Sequence, residues 1–188
     1  MKNNFDTKKL TMYAILTAIV VILQYMGSFI KLGTFSVSLV LLPIVIGAAL
    51  YGPKLGAWLG FVFSVVVLIS GDAALFLGIN YWGTVVTVIL KGTLAGLLTG
   101  FVYNWLKNAN TYVAVIVSAI VCPVVNTGIF AIGCFTFFID AIAQMAGGAE
   151  LATRYVFLVM IGGNFLFEVL VNAVLSPAIV RLLKIRKA

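Results

Sequence analysis

Apolar runs, parted by short polar or glycine-rich breaks, account for most of the chain. Six stand out, at about 9–29, 35–51, 55–71, 83–106, 111–138 and 154–183. A helix that crosses a bilayer needs ~20 mostly apolar residues. The pattern therefore predicts an all-α membrane protein, a six-transmembrane-helix bundle that forms one integral membrane domain over residues 1–188. The second and third runs are the shortest. Between them lies "YGPKLG", where Pro53 and two glycines predict a tight turn.

Composition agrees with the pattern. Of 188 residues, 63% are hydrophobic and 9% charged, against about 25% charged in ordinary globular domains, and the mean hydropathy is +1.21. That is too little charge to cover a soluble surface, so the excess apolar surface must face lipid. The first run follows "MKNNFDTKKL" without a small-residue cleavage site and is expected to stay as a span. There is no histidine, which excludes His-based triads, His metal ligands and imidazole relays. No GxxxxGK[ST] is present, so ATP is not bound by that route. Cys122 and Cys134 share one run, roughly 18 Å apart if it is helical, too far for a disulfide.

The basic residues gather at the ends of runs rather than on one face, which points to orientation and not to nucleic acid. With six spans both termini share a side, together with Lys2, Lys8, Lys9, Lys54, Lys107, Arg181, Lys184, Arg186 and Lys187. Lys31 and Arg154 fall on the other. The positive-inside rule then puts both termini in the cytoplasm. The outward connections become about 30–35, 72–82 and 139–153. Tyr81, Trp82 and Tyr155 sit where an outer aromatic belt is expected, and Tyr103 and Trp105 where an inner one is. Tyr81 and Trp82 are also candidates for stacking on a ligand.

Several polar groups lie inside these runs: Gln24, Lys91, Asn126, Thr127, Asn164, Glu168 and Asn172. A charged side chain near a helix centre costs about 2.5–3.5 kcal/mol on insertion scales, so such groups face the bundle interior or a wet cavity. Asn164, Glu168 and Asn172 are spaced i, i+4, i+8 and share one face. Counted from the outer ends of their runs, Lys91, Asn126 and Glu168 lie roughly 12, 18 and 21 Å deep. They can line a pocket open to the outside. Alternatively, Lys91 and Glu168 simply pair while the asparagines join helices. Pro123, inside the fifth run, predicts a kink near residue 119. Gly92, Gly96 and Gly100 in the fourth run, and Gly56 and Gly60 in the third, form small-xxx-small patterns that let backbones approach closely.

Taken together, the length, the six runs, the basic amino end leading into "AILTA", the "LYGPKLGAWLG" turn and "NFLFEVLVNAVLSPAIVRLLK" resemble the substrate-binding S component of energy-coupling-factor (ECF) vitamin transporters. The likeness covers essentially the whole chain. It implies a subunit in a prokaryotic cell membrane that captures a vitamin from outside and docks on a T component with two ATPases, without a cofactor of its own. In that family an AxxxA face of the first helix meets the T component, which carries over to Ala14 and Ala18. The family's ligand site lies in the outer half, among helices four to six, closed by the first, third and fifth loops. By position this implies Lys91, Asn126, Asn164 and Glu168, with Lys31, Tyr81 and Trp82 in or beside the lids. Lys91 favours an electronegative ligand group, so pantothenate-, folate- and riboflavin-like molecules all fit. Rival readings are a self-sufficient proton-coupled secondary transporter or channel using Glu168 and a purely structural subunit. An intramembrane enzyme has no nucleophile and base pair to build on.

Overall fold

A computed structural model describes the backbone of residues 7–29, 31–32, 35–36 and 39–187, and the side chains of 7–28 and 39–181. Helix α1 (Thr7–Phe29) leads through a two-residue antiparallel ladder, Lys31–Leu32 against Phe35–Ser36, to α2 (Leu41–Tyr51). Then follow α3 (Pro53–Ile69), the short α4 (Ala74–Ile79) and α5 (Tyr81–Leu106). Helix α6 (Thr111–Gly133) runs through a π-helical turn, Cys134–Phe138, into α7 (Ile139–Ala146). Helix α8 (Ala149–Tyr155) runs through a second π segment, Val156–Gly162, into α9 (Gly163–Lys187). Asn80 and Asn110 cap α5 and α6, each side-chain oxygen accepting from backbone N–H groups of the first turn.

Four helical stretches are long and apolar enough to cross a membrane: Thr7–Ser28, Tyr81–Leu106, Thr111–Ala146 and Ala149–Arg181. Helices α2 and α3 are apolar but shorter, at 11 and 17 residues. The second run was expected to be helical from residue 35, yet α2 starts only at Leu41. Phe35–Ser36 is instead extended and paired, at the head of a stretch, "FSVS", that alternates apolar and polar residues with the period of a strand. Gly52 alone separates α2 from α3. Its φ of 91° lies in the left-handed region, and Pro53 follows at the first helical position, where its missing N–H costs nothing.

The expected outward connections also need correction. Residues 72–82 contain α4, and 139–153 are almost entirely helical. "DAIAQMA" is rich in good helix formers, and its Ile142, with Phe138 one turn before it, is buried against Ala152 and Val156 of the returning strand of chain. The reversal itself is confined to Gly147, at φ 85°, and Gly148. Residues 138 and 154 are therefore points within long helices and not helix ends, so depths counted from them are not depths below a surface.

Helices α3 and α5 pack backbone to backbone. Gly56 faces the carbonyl oxygen of Gly96, Gly60 that of Gly92, and Gly100 the backbone of Pro53. A methyl group at Gly56 or Gly96 would strike a main-chain carbonyl that no rotamer change can move. The Ser64 hydroxyl can donate to the carbonyl of Gly60 in its own helix (2.9 Å) and, across the seam, to that of Val88 in α5 (2.7 Å). On the other side of α5 lies α6, which in turn packs on α9.

Two apolar clusters result. The larger joins α1, α2, α3, α5, α6 and the end of α9 around Leu16, Val20, Ile44, Leu59, Val115 and Ile179. The smaller occupies the hairpin that α7 and α8 close, around Cys134, Phe138, Ile142, Ala152, Val156 and Ile161. Large apolar side chains such as Ile22, Phe101, Trp105, Leu166 and Leu170 are exposed on the outside of the bundle, as a lipid-facing surface requires.

Candidate functional site

Between the two clusters lies a cavity of about 530 Å³, within the range of small-molecule sites. Its apolar walls come from both sides: Phe63, Val67 and Val88 from the larger cluster's helices, and Phe76, Phe130 and Tyr155 from the smaller cluster's surroundings. Phe76 anchors α4 over the site, its ring 5.5 Å from that of Phe130 and 4.9 Å from that of Phe138. Val159, Met160 and Ile161, three consecutive residues of the second π segment, all line the cavity.

The polar lining comes from a few side chains on different elements. Lys91 reaches in from α5, Asn126 and Thr127 from α6, Asn164 and Glu168 from α9, Gln24 from α1, and Asp72 from the segment before α4. Lys91 makes no hydrogen bond or ion pair among the described residues. Its Nζ lies instead over the rings of Phe130 (5.3 Å) and Phe63 (5.8 Å), while Glu168 and Asp72 act on it electrostatically from further off. Glu168 is 2% exposed. Asn164 Nδ2 donates to its Oε1 at 3.1 Å, and Asn172 Nδ2 to its backbone carbonyl at 2.8 Å. Among the described residues its buried Oε2 has no partner, nor does the buried Oδ1 of Asn126. Asp72 Oδ2 accepts from Gln24 Nε2 (2.6 Å) and Ser70 Oγ (3.3 Å).

The structure thus brings Lys91, Asn126, Asn164 and Glu168 to one cavity. Tyr81 and Trp82 are not part of its lining: they are 59% and 74% exposed, and pack edge to face on each other with ring centres 5.3 Å apart. Lys31 falls in the first strand, and its side chain is outside the described residues. Ala14 and Ala18 are exposed on α1, nearly opposite the buried row of Leu16, Val20 and Gln24. Asp72 was missed as a site residue because it falls in what reads as a loop. Phe63 and Phe130 were missed because nothing separates them in sequence from other apolar residues. Cys122 and Cys134 are both free and buried.

Residues 8–180 match the family described as ECF transporter, substrate-specific component. The chain belongs to that family: it is a membrane-embedded, substrate-specific subunit of a transporter. No curated protein matches the chain.

Proposed function

We propose that this protein captures a vitamin or related micronutrient, of pantothenate-, folate- or riboflavin-like character, from outside a prokaryotic cell. The ligand occupies the cavity between the two apolar clusters, where Lys91, Asn126, Asn164 and Glu168 contact it. The protein then docks through Ala14 and Ala18 on a T component that works with two ATPases. In this reading the whole chain is one integral membrane domain, six helices cross the membrane and both termini are cytoplasmic. Lys31, Tyr81 and Trp82 then border the outer opening.

One observation carries the reading. A cavity of ligand size, with aromatic and aliphatic walls, is also lined by polar groups whose bonding capacity is unused among the described residues: the Lys91 ammonium, Asn126 Oδ1 and Glu168 Oε2. A buried polar atom without a partner costs about 1–3 kcal/mol, and a ligand supplies the missing partners. Thr87 Oγ1, Thr93 Oγ1, Ser118 Oγ and Asn172 Oδ1 are buried without a partner among the described residues too, but these residues do not line the cavity, whereas Asn126 and Glu168 face a space that a ligand can fill.

The test is thermal unfolding of the detergent-purified protein against a panel of vitamins. A true ligand at 100 times its Kd stabilises by about 2.7 kcal/mol, visible as a rise in Tm. A flat response across the panel, with no small molecule retained through purification, would overturn the reading.

A further inference from the structure

The charges around the cavity do not balance in favour of an anion. Among the described residues that line it there is one cation, Lys91, against two carboxylates, Asp72 and Glu168, both of which act on it electrostatically. With both carboxylates ionised, a ligand that brought only a carboxylate would leave these residues with an excess of two negative charges. The rings of Phe63 and Phe130 flank Lys91, with Phe76 elsewhere in the lining, and unpaired charge beside such walls is costly.

Hydrogen bonding points the same way. On the α6 and α9 side the unused groups are acceptors, Asn126 Oδ1 and Glu168 Oε2. On the α5 side they are the N–H donors of Lys91, held between two ring faces. Asn164 already occupies Oε1 of Glu168, so the carboxylate has one oxygen free and reads a single donor, not a two-pronged fork such as a guanidinium.

Building on the proposal that this cavity is the ligand site, and narrowing its three ligand types to the riboflavin-like one, we infer that it selects a nitrogenous molecule of zero or positive net charge. An N–H group of that molecule donates to Glu168, and an acceptor elsewhere on it takes a proton donor from Lys91. Glu168 is then the residue that sets specificity. A carboxylate on the ligand is compatible only where the same molecule carries a balancing cation.

Native mass spectrometry of the full-length protein, purified from cells in rich medium without added vitamin, tests this by the identity of the retained molecule. The expected result is an amine or nitrogen heterocycle without net negative charge at neutral pH. For that molecule, Glu168→Gln weakens binding at least tenfold by titration calorimetry. Because the variant can fail for reasons of folding, the wild type is also titrated with an analogue methylated at the N–H, which binds at least tenfold more weakly. Retention of a monoanion such as pantothenate overturns this inference and leaves the ligand-site reading standing. Equal affinity for the methylated analogue likewise overturns it. No retained molecule, together with no thermal response to thiamine, pyridoxine, riboflavin or pantothenate, removes both.

Discussion

At the scale of single residues, Lys91 and Glu168 have different surroundings despite their shared cavity. Lys91 is held by ring faces, which leave its N–H groups to a ligand, whereas Glu168 is fixed on one side by Asn164. Lys91→Met keeps the aliphatic stem and removes the ammonium. It should weaken ligand binding roughly 10- to 100-fold, since a hydrogen bond to a charged group is worth about 1.5–3 kcal/mol. The fold should survive, and titration calorimetry of the variant checks both points through affinity and binding stoichiometry. Unchanged affinity would assign Lys91 a structural role alone. The sequence made these polar positions legible because a charge or amide in an apolar run has to be explained, and helical spacing then fixed the face of α9. It did not make Asp72 or the aromatic pair around Lys91 legible. Their place depends on how chain segments far apart in sequence meet.

Among elements, the α3–α5 seam makes the sharpest prediction. Gly96→Ala puts a methyl group against the Gly56 carbonyl, and overpacking of this kind costs about 1–3 kcal/mol. It should lower the Tm of the purified protein. Gly128→Ala, where nothing lies within 4 Å of the added carbon, should be neutral or stabilising by up to about 1 kcal/mol through helix propensity. A similar loss in both would show that glycine flexibility matters there rather than close approach. The glycine spacing was readable in the sequence as a packing pattern, although not which helices it joins. The α7–α8 hairpin was hidden for a different reason. Its alanines and glycines read equally well as a loop, and only burial of Ile142, Ala152 and Val156 against one another reveals the helices.

At the scale of the whole molecule, α1 presents its small residues outward. Ala14 and Ala18 lie on an exposed face with Leu10 and Ile22. Replacing both alanines by leucine should abolish ATP-dependent uptake in the assembled transporter while ligand affinity of the isolated subunit stays within about twofold, less than 0.5 kcal/mol. Persistent uptake would place the docking surface elsewhere. Orientation is tested by Asn108→Cys, in the exposed turn between α5 and α6. Cytoplasmic termini put this site inside, so a membrane-impermeant maleimide should label it only after the cells are opened. Cys122 and Cys134, both buried, should contribute little background.

The glycine seam bears on motion as well as on stability. Contacts between side chains can slip, because rotamers exchange at small cost. Where carbonyl meets Cα there is nothing to exchange, so α3 and α5 are bound to travel as one piece. In the proposed reading, opening of the cavity would then fall to α4, whose Phe76 ring rests on Phe130 of α6 and Phe138 of the first π turn, and to the hairpin beyond the two π segments. The same pair of helices that lets Lys91 stand at a fixed spot also decides which parts of the molecule are free to be the door.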